Sequence, residues 1–246
     1  MIEIALCLAI VGFALVAIIG VLPAGLNVQR ENREETIINQ DSTVWLDAIR
    51  TGARGYDELT NYVDRIVIYS TNYNAAGVMQ GGQAPLVAQH KLVNGAIVPL
   101  NSGSNVVGLL TTPKYVSVAG GGYIQNTVHA YCRAISGVAT EKPPGQQNVE
   151  ARANAFAYRM AVEITGAGEV DPDLVSTNAT GVALRQNLTD IRMVVRWPLR
   201  QPVDQDQPNQ QVSVADSSRM TFRAQASGRL DITNAPLFFI RPHEYQ

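Results

Sequence analysis

From Ile4 to Leu26 the chain carries no charged side chain. A helix spans the hydrocarbon core of a bilayer with roughly 20 such residues at about 1.5 Å each. A segment this apolar must be covered, either by lipid or by other apolar surface. A cleaved secretory signal does not fit. Such signals open with basic residues and hold an apolar run of about 7–15 residues. Here no Lys or Arg precedes the run, the run is longer, and Leu22-Pro23-Ala24 is a poor small-x-small cleavage site. The segment also lowers the charged share of the 246 residues to 16%, against about a quarter in ordinary soluble domains.

Glu3 separates the remaining readings. A carboxylate costs about 2.5–3.5 kcal/mol at the centre of a membrane helix and less near its end. A plain single-pass anchor gains nothing from it. A cation on a neighbouring copy offsets the cost, and the positive N-terminal amine is the obvious candidate.

The stretch Met1-Ile2-Glu3-Ile4-Ala5-Leu6-Cys7-Leu8-Ala9-Ile10-Val11-Gly12 resembles the N-terminus of type IV pilins and type II secretion pseudopilins. Those families mature by cleavage after a Gly, carry Glu as the fifth mature residue, and have a Gly nine residues later. Glu3 and Gly12 are nine apart. Gly20 occupies the place of the family's helix-kinking proline, and Pro23 follows three residues later. Both weaken a helix, so local unwinding between Gly12 and Pro23 is expected. Glu3 stands two places early if Met1 is the mature start. The spacing therefore predicts that the sequence begins inside the mature protein, with a leader and two mature residues upstream. The rival is a mature start at Met1 with a shifted Glu.

Beyond the apolar run the helical pattern continues. Ile37, Ile38, Val44, Trp45 and Ala48 share one face, with Asp41 as its polar exception. No proline follows Pro23 before Gly52 and Gly55 give the stop signal. Residues 2–51 predict a helix of roughly 75 Å. The chain then divides into an apolar stem (1–26), an amphipathic stem half (27–55) and a head domain (56–246).

The head reads as mostly β. Tyr56–Val63 suggests a short helix with Asp57 as N-cap. Arg65–Tyr69, Lys114–Val118 and Thr127–Ile135 read as extended, and Asn72–Pro85 as a Gly/Asn-rich loop. Ala155–Thr165 alternates with period two, placing Phe156, Tyr158, Met160, Val162 and Ile164 on one side. Leu188–Leu199 and Ser218–Ala226 form a second pair across a polar loop, Arg200–Ser217, and Pro236–Ile240 is a last short strand. The expected class is α+β: a pilin-like long N-terminal helical stem packed by a mostly antiparallel β head. The pieces Asp190–Pro198 and Met220–Gly228 also resemble heads of prepilin-type proteins common in Verrucomicrobia-like bacteria.

No catalytic template is met. HExxH, CxxC and GxSxG are absent, and Gly120-Gly121-Gly122 reads as a turn without GxGxxG spacing. His90, His129 and His243 lack ligand spacing and are expected in surface or capping roles. Asp171-Pro172-Asp173 and Asp204-Gln205-Asp206 lack the spaced ligands and Gly hinge of an EF-hand and read as solvated turns. The sequons at Asn178 and Asn187 carry little weight. Cys7 and Cys132 are not expected to pair, because one lies in the apolar segment; Cys132 reads as a small core residue. The net charge of -2 gives no basic stripe for nucleic acid.

The resemblance implies a non-enzymatic structural subunit without cofactor or metal. Its implied assembly residues are Glu3, Gly12, Gly20 and Pro23. Its implied partners are other copies of itself in a helical homopolymer, the prepilin peptidase, the assembly platform, and the cytoplasmic (inner) membrane before assembly. The polymer would be an extracellular, surface pilus-like filament. The alternatives are a pseudopilin of a short periplasmic pseudopilus and a single-pass anchored binding domain that never polymerises.

Overall fold

A computed structural model describes residues 2–52, 57–89, 96–118, 120–136, 156–166, 187–199, 214–231 and 235–241. Helix α1 runs Ile2–Thr51 with Pro23 inside it. It is helical through Gly12, Gly20 and Pro23, so the expected unwinding does not occur. A proline removes a single ladder N–H, and the helix continues on both sides of Pro23. Two compact units result, residues 1–40 and 41–246. Their boundary falls inside α1, so the last three turns of the helix belong to the head.

The expected short helix is a 3-10 helix, Asp57–Tyr62. The Asp57 carboxylate accepts from the Gly103 amide at 3.2 Å. It thus serves the start of a different helix, α2 (Gly103–Leu110), which Ser102 caps by accepting from the Asn105 amide at 3.2 Å.

The main sheet is built from β1 (Val63–Tyr73), β2 (Met79–Gly82), β3 (Leu86–Gln89), β4 (Ala96–Pro99), β5 (Tyr115–Val118), β6 (Gly122–Arg133), β7 (Ala157–Gly166), β8 (Leu188–Leu199) and β9 (Val214–Ser227). Its order is β4-β3-β1-β6-β7-β8-β9, with β2 also on β1 and β5 also on β6. Among the described strands, β3 and β4 pair in parallel and the other pairs are antiparallel. A separate hairpin joins β10 (Arg229–Asp231) to β11 (Phe239–Arg241). Phe238 donates its amide to the Gly108 carbonyl at 3.0 Å. A Cβ on Gly108 would stand 3.0 Å from Leu237 and Phe239 side-chain atoms, so α2 accepts this close approach through its glycine.

The expected Asn72–Pro85 loop is corrected: β1 continues to Tyr73, and Met79–Gly82 returns as a strand. β6 likewise begins at Gly122, leaving Gly120 and Gly121 as the positive-φ turn. β9 begins four residues earlier than expected, taking Val214–Ser217 out of the polar loop.

Register fixes which residues share a face. Ile66 stands opposite Ala130, Ala130 opposite Met160, and Met160 opposite Val195, and all four are buried. The predicted alternation of β7 is found, with Tyr158, Met160, Val162 and Ile164 buried. Cys132 is fully buried on β6 and Cys7 is exposed; neither forms a disulfide. Each buried Ile, Leu, Val or Met contributes about 1.5–3 kcal/mol.

Candidate functional site

The apolar end of α1 is the first candidate site. Every side chain from Ile2 to Arg33 is exposed. Phe13 is 80% exposed and Ile19 is 69% exposed. The helix is long and apolar enough to cross a membrane by length and composition. Glu3 lies in its first turn, where the helix dipole favours an anion.

The helix does not gather the four sequence-derived assembly residues into one cluster. Nine residues separate Glu3 from Gly12, which puts them about 13 Å apart and on opposite sides at 3.6 residues per turn. Gly12 and Pro23 fall on one side, about 20° apart by the same count. A Cβ at Gly12 or Gly20 would meet nothing within 4 Å. Packing inside one copy therefore demands neither glycine. Any role of these residues lies in contacts on different sides of the helix.

The second site anchors the other end of α1. Asp41, the polar exception on the amphipathic face, is fully buried. Its carboxylate accepts from the amides of Ile135 and Ser136, each at 2.9 Å, and from the Ser136 hydroxyl at 2.7 Å. The Tyr158 hydroxyl donates to it at 3.1 Å and accepts from Trp45 Nε1 at 2.8 Å. Indole N–H only donates, and the tyrosine hydroxyl does both, so the chain Trp45→Tyr158→Asp41 leaves each of these polar atoms satisfied. Burial pushes the Asp41 carboxyl above its usual range, and the four donors pull it back. The lone acid on an apolar face was the sequence signal. Its partners were not visible there, being 94 to 117 residues away.

This arrangement suits a structural joint. Burial drives the Cys132 thiol and the Tyr158 hydroxyl well above their ordinary values, which leaves both protonated and poorly nucleophilic. A second buried ionic contact lies nearby in the sheet. Arg133 donates through Nε to Asp64 Oδ2 at 2.9 Å and through Nη2 to Oδ1. Among the described residues, no three His, Cys, Asp or Glu side chains form a group able to hold a metal.

His129 departs from the surface role expected for it. It is half-buried on β6, edge-on to Tyr69 with ring centroids 5.5 Å apart. Burial first, then the Arg159 and Arg196 guanidiniums, lower its pKa to about 4. Beside it, Val67, Val87 and Tyr131 form a small apolar cluster joined by Leu199. Thr189 of the second sequon is buried in β8. His90, His243, Asn178, and the aspartates at 171, 173, 204 and 206 lie outside the described residues. No family model, curated protein or solved structure matches this chain.

Proposed function

We propose that the chain is a structural subunit of a type IV pilin-like filament, polymerising through its N-terminal helix. One observation carries the reading. A single unbroken helix is bare and apolar over its first part, opens on one acid, and is tied into a β head at its other end by Asp41 and Trp45. In lipid the bare surface meets acyl chains; in a filament core it meets other stems. Moving between the two exchanges one apolar environment for another, so the transfer has a small hydrophobic cost.

Glu3 distinguishes this reading from a plain anchor. In a core of packed stems it pairs with the N-terminal amine of a neighbouring copy, because an unpaired charge there is expensive. Maturation by a prepilin peptidase, passage through an assembly platform, and residence in the inner membrane before export belong to the same proposal. A surface fibre and a short periplasmic pseudopilus share this chemistry.

Glu3→Ala tests it. The variant should enter the membrane fraction as well as the parent chain does but yield at least about tenfold less polymer, the loss of roughly 1.4 kcal/mol per contact. Polymer at parental yield would remove Glu3 from assembly.

A further inference from the structure

Like charges stand in register across the face of β7, β8 and β9 that carries His129. Arg159 is opposite Arg196, and Arg196 is opposite Arg219. Four residues along β8, Arg192 is opposite Arg223. Directly opposed like charges destabilise a sheet. Two acids stand among them where side chains are described. Glu163 meets Arg192 at 3.4 Å and Lys114 at 3.5 Å, and Asp190 meets Arg223 at 3.2 Å. Among the described side chains the face keeps an excess of positive charge, and its exposed part is the edge: Arg223 is 69% exposed, Arg192 is 49% exposed, and Arg219 is exposed.

Helix α1 carries the converse. Glu31 and Glu35 stand one turn apart and both are exposed. Arg30 pairs with Glu34 at 2.8 Å, not with either of them. Like charges at this spacing oppose the helix. Neither acid has an ion-pair partner among the described residues. The two patches also match in size. Side chains one turn apart on a helix start about 5–6 Å from each other, and opposed side chains on neighbouring strands about 4.5–5.5 Å. Both patches are exposed within one copy.

The geometry points to an electrostatic contact between copies: Glu31 and Glu35 of one chain dock on Arg192, Arg219 and Arg223 of the next. Each carboxylate meets a guanidinium fork, relieving repulsion on both surfaces at once. The two patches are different surfaces of one chain, so the contact is heterologous, and in the proposed filament it repeats from copy to copy. The inference rests on the filament reading and names a contact within it.

Charge reversal in the full chain tests it, read as polymer recovered by shearing and pelleting. Arg219→Glu with Arg223→Glu should lower recovery about tenfold or more, and so should Glu31→Arg with Glu35→Arg, the scale expected for paired charges at an interface. All four changes in one chain should restore recovery to within about twofold of the parent, because complementarity is rebuilt with its signs exchanged. Arg219→Lys with Arg223→Lys keeps the charge and should leave polymer in place, which separates lost charge from lost folding. Parental recovery from either reversal overturns the contact and leaves the filament reading standing. Failure of the fourfold variant to recover also overturns the contact. If the sheet reversal leaves polymer intact but abolishes capture of the chain on immobilised polyphosphate, the face serves a polyanion instead. A parent chain that makes no polymer overturns the filament reading and this contact together.

Discussion

Asp41 shows how much one side chain settles in this protein. A fully buried carboxylate is tolerable because four donors converge on it, two of them backbone amides of Ile135 and Ser136. Asp41→Ala strands those donors, at about 1–3 kcal/mol for each one left unsatisfied. The full chain in detergent should lose about 3–5 kcal/mol in denaturant unfolding, as several neutral donors are left unsatisfied together. Asp41→Asn keeps an acceptor and should cost less. A loss below about 1 kcal/mol for the alanine variant would show that the network does not hold the helix end.

His129 gives the pH prediction at the same scale. Its folded pKa of about 4 lies below the ordinary 6.5. As pH falls, the unfolded chain takes up the proton first. This site's contribution to stability is therefore whole above pH 6.5 and is lost progressively down to about 4. The imidazole carbon shifts should report a neutral ring at pH 5.5. A midpoint near 6.5 would show that neither burial nor the Arg159 and Arg196 charges lower it.

At the scale of elements, legibility followed the length of the periodic pattern. Helix α1 and strand β7 were readable because their own residues repeat with the right period over many turns or pleats. Strands β2 to β4 were not. Met79-Gln80-Gly81-Gly82 has no strand propensity of its own and is extended because β1 offers it an unpaired edge. Helix α2 is eight residues long and too short for a period to declare itself; its cap at Ser102 was the available signal. The arginine positions of β8 and β9 were visible as polar alternates, but only the register shows that Arg196 faces Arg219 and Arg192 faces Arg223.

The β10–β11 hairpin supplies an element-scale test. Gly228 has φ +151°, in the region side chains avoid, and a Cβ there would press into the Arg241 carbonyl. Gly228→Ala should cost about 1–3 kcal/mol from backbone strain and should weaken amide protection at Leu230 and Ile240, which pair across the hairpin. Unchanged exchange at these two amides would remove the glycine's conformational role.

At the scale of the whole molecule, the chain is two units with opposite demands. Residues 1–40 expose an apolar surface, and residues 41–246 bury theirs around a sheet. The first demand was fully legible, since a charge-free run states its own need for cover. The proposed cover by other stems rests on Glu3 and its spacing to Gly12, since a Cβ at Gly12 or Gly20 would meet nothing within 4 Å in one copy. Deleting Ile4–Leu22 removes the demand. The remainder should stay in solution without detergent and unfold in one cooperative transition; partition into membranes or aggregates would show a further apolar surface in the head.

The filament itself is the central claim, and electron microscopy of material sheared from cells making the full chain tests it most directly. Fibres composed of this chain are expected, identified by mass spectrometry of the same pellet, and they should disappear in Glu3→Ala cells whose membranes still hold the protein. Recovery of the parent chain solely from the membrane fraction, as separate copies with no fibre and no short pseudopilus among them, would contradict it.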